Sequence, residues 1–406
     1  MNKKSILKNS AFQSILAAVI CVILGLFVGY LVLLAIDPAG AGEAILTIIK
    51  NFFNYPSKPA ALKYLGNTLA KTAPLLMCAL SINFCYKAGL FNIGAAGQYV
   101  VGAGACLWAA LAWKLPWPLC VLLALAAGAV WGAIVGVLKA YGNVNEVISG
   151  IMLNWIGLYL VNMLLANVKD PASPYTIQVG AVNSGALLPT AGLDKLFTHN
   201  QYVTIAVPIS ILVAVLIWVV LSKTKLGYEI LATGFNKDAA KYAGMNEKKN
   251  LILTLVIGGA LAGVGASFLY LSGYEQWSTT QSSVPDMGFN GIAATFLGGL
   301  HPIGTIFSSF FIQHITSGGS YLNKKIYPSQ VSDLISAIII YLCGFVLFFK
   351  YVMNTRLAAS EEKKILAAKA AGAAAGAAET ARSEAADAKE AFGTAESEQE
   401  KKGGDD

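Results

Sequence analysis

AFQSILAAVICVILGLFVGYLVLLAI, residues 11–36, contains no charged side chain. A helix needs about 20 apolar residues to cross a bilayer's hydrocarbon core, and this stretch supplies them without a charge to neutralise. Lys3, Lys4 and Lys8 precede it. A basic start followed by an apolar run can be a cleaved leader, but this run is about twice the usual length of a leader's core. The reading is therefore an uncleaved first span.

Working outward, the same test finds nine further runs: Leu65–Tyr86, Ala88–Trp113, Leu115–Leu138, Val147–Val168, Gln201–Ser222, Leu251–Gly273, Met287–Gly299, Ile303–Gly319 and Val331–Phe349. Met287–Gly299 is too short to cross without help. The sequence thus predicts an all-α, polytopic helix bundle of about ten spans, with eight or nine as the fallback count.

Composition agrees with a membrane chain. Of 406 residues, 56% are hydrophobic and 13% charged, against roughly 25% charged in soluble domains, and mean hydropathy is +0.61. The net charge of +7 divides unevenly. Residues 361–406 hold 11 of the 22 acidic and 7 of the 29 basic residues, so a body of +11 carries a tail of −4. The body's lysines cluster between apolar runs, which is the pattern of loops facing anionic lipid rather than nucleic acid.

With the N-terminus inside, ten spans place Lys223, Lys225, Lys237, Lys241, Lys248 and Lys249 together in one cytoplasmic loop, 223–250, and put Lys139, Lys350 and Arg356 inside as well. Lys50, Lys58, Lys63, Lys324 and Lys325 fall outside and count against that model. Residues 1–360 form the transmembrane domain, residues 169–200 an extracellular loop long enough to dock a partner or cover a pathway, and residues 361–406 a charged, Ala-rich, low-complexity cytoplasmic tail. Six cysteines, all in apolar runs, and three scattered histidines predict neither a disulfide framework nor a metal site.

Four segments carry more than hydropathy. In KAGLFNIGAAGQYVVGAG (87–104), glycines and the polar Asn92 and Gln98 interrupt a span. Phe91–Gln98 is either a tight crossing through small residues or a broken helix at a transport pathway. MGFNGIAATFLGGLHPIG (287–304) repeats that chemistry, with Phe289-Asn290 beside Phe91-Asn92, and predicts a second glycine-interrupted helix in the other half. His301 reads as a loop residue at a helix end.

In GNVNEVISGIMLN (142–154), Asn145 and Glu146 read as a helix cap and its acidic first turn, and Asn154 as an intramembrane amide bonded to a neighbouring helix. Lining a polar pathway is the competing reading for this segment. In GYEILATGFNKDAAKYAGMN (227–246), Leu231, Ala232, Ala239, Ala240, Tyr242 and Ala243 make a short helical stretch, small residues on one face and lysines on the other. It stops at Gly244 and is built to fit a groove in another protein.

FNIGAAGQ, NEVISGIMLNWI, GYEILATGFNKDAAKYAG and GIAATFLGGLHPIG, in that order, resemble the integral membrane permease of ABC importers, in the ribose, branched-chain amino acid and nucleoside subfamily, on its nucleoside side. The similarity covers about Leu65–Phe349. It implies a subunit of a bacterial plasma-membrane importer with both termini cytoplasmic, moving a nucleoside or a simple sugar such as ribose by alternating access. It also implies a second permease subunit, an extracytoplasmic binding lipoprotein, and a cytoplasmic ATPase that holds ATP and Mg and docks on a helix whose matching residues are Gly234, Asn236, Ala239, Ala240, Ala243 and Gly244. Many nucleoside-type relatives carry an acid where Ala96 stands.

The residues agree that hydrolysis belongs to a partner, since no G-x-x-x-x-G-K-[ST] occurs. The chain itself is expected to bind no cofactor and to be no enzyme. The main intramembrane ionisable candidates are Lys71 and Asp333, both read as near span ends, so a neutral polar substrate fits better than ion coupling. Phe91, Asn92, Gln98, Asn145, Glu146, Asn154, Phe289 and Asn290 are the candidate pathway residues. The competing class, a secondary transporter or channel without an ATPase, is disfavoured by the missing buried acids and the docking-like loop.

Overall fold

The computed structural model describes residues 10–323 without interruption and, beyond them, 325–327, 334–335, 337–338, 341–342, 344–360 and scattered positions to 382. Lys3, Lys4, Lys8, Lys324, Asp333, Cys343, much of the expected span Val331–Phe349 and most of the tail lie outside the described residues. The chain forms two compact units, residues 1–347 and 348–406. The second is helical over its described stretch to residue 360.

Among the described residues no strand forms, and the major helices are α1 (Ser10–Ile36), α2 (Ala41–Lys50), α3 (Lys58–Lys87), α4 (Ala95–Leu111), α5 (Trp117–Gly142), α6 (Glu146–Leu165), α7 (Ala206–Lys223), α8 (Lys225–Phe235), α9 (Lys237–Tyr242), α10 (Glu247–Tyr270), α11 (Met287–Leu297) and α12 (Pro302–Gly319). Six of them, α1, α3, α5, α6, α7 and α10, are long and apolar enough to cross a membrane; α4 and α11 are shorter apolar helices.

Helix ends follow local chemistry. Asn145 Oδ1 accepts from the amides of Val147 and Ile148 at 2.8 and 3.4 Å, Asn246 Oδ1 from Lys249, and Thr224 Oγ1 from Gly227, so α6, α10 and α8 each begin on a side chain that satisfies orphan amides. α3 starts at Lys58, before the expected Leu65, because Ser57 caps it and Pro59 sits in its first turn. α2 is too short to register as a span.

At the centre stands α3, buried over 89% of its apolar window against 22% for α1. α7, α10, α11 and α12 pack on it, and α4 joins α10, α5 and α6. The tightest seam is α5 on α10. A Cβ added at Gly128 would collide with the carbonyl oxygen of Gly259, and one at Gly259 with that of Gly128. Gly128, Gly132 and Gly136 recur every four residues on α5, opposite Gly259 and Gly263, so two backbones touch along a small-residue stripe. Lipid gives no hydrophobic drive between helices, and this close approach supplies dispersion in its place.

The long loop 169–200 folds back over one end of the bundle. Thr176 N donates to Trp277 O at 2.8 Å, Trp277 Nε1 to Asn162 Oδ1 at 2.9 Å, and Asn183 Nδ2 to the carbonyls of Ala110 and Leu115. Asn200 Nδ2 reaches Lys63 O and Asn67 Oδ1, each at 2.8 Å. α8 and α9 lie at the opposite end.

Candidate functional site

Between α3 and α4 the backbone leaves helical geometry at Ala88–Gly94, with Gly89 at φ +72°. Irregular backbone at membrane depth has to be surrounded by protein or water, and here buried amides surround it. Asn92 Nδ2 donates to Ser81 Oγ at 3.1 Å and to Gln98 Oε1 at 2.9 Å, while Gln98 Nε2 returns a bond to Asn92 Oδ1 at 3.2 Å. Both side chains are buried. Gln98 and Ser81 together occupy both Nδ2 donors of Asn92 and engage its Oδ1, so in this conformation Asn92 ties the break to α3 and α4.

Asn154, reaching in from α6, completes the arrangement. Its Oδ1 accepts from Gly97 N at 2.7 Å and its Nδ2 donates to Ile93 O at 3.1 Å. Gly97 N is in the first turn of α4, a helix without a cap of its own, so another helix caps it. α6 comes this close because Gly150 meets Gly94: a Cβ at Gly150 would lie 2.8 Å from Gly94 N. Asn154→Ala is expected to lower stability by about 1–3 kcal/mol, since intramembrane hydrogen bonds are modest but an orphaned buried amide is left behind. The unfolding midpoint of the detergent-solubilised protein measures this, and Asn154→Asp, which keeps the acceptor, should recover part of the loss.

The structure therefore joins Asn92, Gln98 and Asn154 and separates the other candidates. Phe91 is half-buried, 6.5 Å from the Phe296 ring. Asn145 and Glu146 lie at the start of α6, the first as a cap, the second in an ion pair with Lys139 at 2.7 Å. Phe289, 36% exposed, and the half-buried Asn290 sit inside the first turns of α11. The two similar hexapeptides thus adopt different local structures, irregular chain running into a helix in one case and uninterrupted helix in the other. Their helices nonetheless meet at their N-terminal ends, where Ala96 fills the space a Cβ on Gly288 would need. The break in the second segment falls later, at Gly298–His301, where Gly299 and Leu300 have positive φ.

Sequence reasoning passed over Ser81 and Gly150. A search for small residues four apart finds the seam glycines but not the hydroxyl. Lys71, read as near a span end, lies mid-helix in α3 because that helix starts earlier than expected. Five described cysteines are free and buried.

At the α8–α9 end, the stretch read as one helix is two. Asn236 is extended (φ −157°, ψ 106°), and its Oδ1 accepts from Asp238 and Ala239 amides, both at 3.0 Å. An Asn cap starts a second helix there instead of continuing the first. α9 ends at Gly244 (φ +79°), with Met245 N bonded to Ala240 O. Ala240 is buried, whereas Ala239 and Ala243 are exposed. Asn250 Nδ2 donates to Thr233 Oγ1 at 3.0 Å and fastens α8 to α10.

α8 also presses on the break. A Cβ at Gly234 would collide with Lys87 O, and Gly89 faces Gly234 in return. Beside this contact lies a cavity of about 460 Å³, lined by residues 88–90, Lys139, Ala140, Asn143, residues 233–237, Glu247, Lys248 and Leu251. Phe235 and Tyr242 project away from the bundle, 91% and 95% exposed.

Near this end His301 caps α12, its Nδ1 accepting from Ile303 N at 3.3 Å. Burial first, then the Lys87 ammonium, holds its imidazole below the ordinary 6.5. The neutral ring is favoured in the fold, so its contribution is complete above pH 6.5 and declines as pH falls below that value. A pH scan of the unfolding midpoint should show this loss in the native chain and less of it in His301→Asn.

The family model described as "Branched-chain amino acid transport system / permease component" matches residues 64–344. The guanosine ABC transporter permease protein NupP of Bacillus subtilis is 31% identical, over 84% of this chain and 96% of its own length. The nucleoside ABC transporter permease protein NupB of Lactococcus lactis is 32% identical, over 86% and 94%. A glucose ABC transporter permease of Haloferax volcanii is 31% identical, over 70% and 77%. No solved structure matches. Polytopic apolar helices, a broken segment sealed by buried amides and this match over most of the chain lead to one assignment: the protein belongs to the family of branched-chain amino acid transport system permease components.

Proposed function

We propose that this chain is the membrane permease subunit of an ATP-driven importer that carries nucleosides into the cell. The observation that supports it most is mechanical. α8 and α9, carrying exposed Phe235 and Tyr242, rest through Gly234 on the Lys87–Gly89 turn, and that turn leads directly into the amide-locked break. Two curated relatives that match nearly end to end bear guanosine and nucleoside in their names.

In this reading the bundle makes about ten spans, with both termini, loop 223–250 and tail 361–406 cytoplasmic and loop 169–200 extracellular. α4 and α11 meet at Ala96 and Gly288, and Phe91, Asn92, Gln98, Asn154, Phe289 and Asn290 border the substrate path. Asn145 and Glu146 hold the start of α6. ATP and Mg reside on a cytoplasmic ABC ATPase that docks on Asn236–Gly244. An extracytoplasmic binding lipoprotein delivers the solute, and a second permease subunit completes the path. Closure of the ATPase moves α8 and α9, breaks the Asn92–Gln98–Asn154 set and exchanges one packing of the bundle for the other. The bonds exchanged are few, as a bistable element requires.

The glucose permease among the relatives favours a second reading, import of a simple sugar. Uptake of labelled guanosine into cells carrying the full importer separates the two. Unlabelled nucleosides are expected to compete and ribose or free bases to compete poorly; competition by ribose equal to that by guanosine would overturn the nucleoside reading.

A further inference from the structure

Mid-way along α3, Lys71 Nζ lies 2.8 Å from Glu275 Oε1, with side chains 28% and 40% exposed. An ion pair in an apolar bundle is poor stabilisation, because desolvation offsets the attraction and an apolar pair would serve as well. A charged side chain carried on an apolar, largely buried helix therefore asks for a functional account. Lys71 also stands 5.0 Å from the centre of the Tyr274 ring, and Tyr202 meets Tyr274 edge-on at 5.1 Å.

Tyr64 and Lys71, seven residues apart, share one face of α3. Tyr64 stacks on Tyr55 with ring centres 4.0 Å apart and planes 4° from parallel, and Tyr321 abuts both edge-on at 5.5 and 5.8 Å. Each of these tyrosines is half-buried, and the stretches that supply them, the chain before α3, α3 itself, the chain after α10, the chain before α7 and the chain just after α12, all lie on the side of the bundle covered by loop 169–200.

We propose that Lys71, Glu275 and Tyr274 form a nucleoside-binding subsite at the mouth opposite α8 and α9, distinct from the Asn92–Asn154 break. The chemistry suits a planar base linked to a sugar diol. Tyrosine faces stack on any base, each such contact being worth about 1–3 kcal/mol. The carboxylate keeps acceptor capacity for vicinal hydroxyls, and the ammonium keeps donors beyond its bond to Glu275. Pairing the two charges leaves the pair itself without net charge, so a neutral ligand exchanges hydrogen bonds with it and leaves neither ion uncompensated. This inference rests on the nucleoside reading above and places a second recognition point within it.

The test uses the complete importer in lipid nanodiscs, with and without its binding protein, and labelled guanosine as the probe. Without the binding protein, the native complex is expected to bind guanosine, and Glu275→Gln and Tyr274→Leu to weaken that binding about tenfold or more, as the loss of one charge-assisted bond or one stacking contact requires. The swap Lys71→Glu with Glu275→Lys restores an ion pair with its poles exchanged. It should restore protein yield but not guanosine affinity. Native-like guanosine binding in the swap or in Glu275→Gln, or no binding by the native complex, would overturn the subsite. Uptake of guanosine through the complete system is read separately. If the native importer takes up no nucleoside at all, the proposed function fails; if it does so while binding is unchanged in the variants, only the subsite fails.

Discussion

Gly259→Val is expected to cost most of the folded protein. The added Cβ would fall on the Gly128 carbonyl oxygen and lie 3.2 Å from Gly132 Cα. Both obstacles are helix backbone, which cannot swing aside as a side-chain end can. α5 and α10 would have to part along their whole seam, opening Gly128, Gly132 and Gly263 to voids that lipid cannot fill. Overpacking commonly costs about 1–3 kcal/mol and occasionally more, and a clash shared by two backbones belongs at or above the top of that range. Monodisperse yield from membranes and the unfolding midpoint read the effect. Gly42→Val, where an added Cβ meets nothing within 4 Å, is the control and should stay near native. A Gly259→Val protein with native yield and midpoint would show that α5 and α10 do not touch at this level.

This seam also marks how far the sequence could be read. Apolar run length reports a helix's need to cross lipid and locates five of the six long helices to within about five residues at each end. It could not report α2, whose ten residues fall below any spanning length, or the start of α3 at Lys58, set by the Ser57 cap and Pro59 outside the apolar run. Residues that stop helices locally were partly legible. Asn145 reads as a cap from the sequence alone, while Asn236 reads as interior to one helix because small residues continue on both sides of it.

Pairings across the fold were less accessible still. Asn92, Gln98 and Asn154 stood out as amides in apolar surroundings, but that Asn92 and Gln98 satisfy each other, and that Asn154 caps a helix not its own, depends on how α3, α4 and α6 are placed. The similarity of Phe91–Ala96 to Phe289–Ala294 came from composition. Register decides the rest, because in the first segment Gly89 and Gly94 sit before the helix begins, whereas Asp286 precedes a helix that already contains Phe289. Lys71 was visible as a charge in an apolar run, but its partner Glu275 lies two hundred residues on, in a stretch without periodicity.

Gly234→Val should separate docking from transmission. Its Cβ would strike Lys87 O and come within 2.8 Å of Ala88 C, pushing α8 off the turn that leads into the break. The bundle's seams are elsewhere, so protein level should stay near native. Phe235 and Tyr242 still face outward, so an ATPase docking as proposed should still bind. On the proposed function, what is lost is the contact that converts motion of α8 and α9 into motion of residues 87–92. Couplings between sites are typically 1–3 kcal/mol, roughly 5–150-fold, and uptake per bound ATPase should fall within that range while basal ATP turnover persists. Phe235→Ala and Tyr242→Ala should behave differently. Exposed aromatics at an interface act mainly through affinity, so their uptake defect should recover as ATPase concentration rises, and the Gly234→Val defect should not. Recovery of Gly234→Val at saturating ATPase would mean that the signal enters the bundle somewhere other than the Lys87–Gly89 turn.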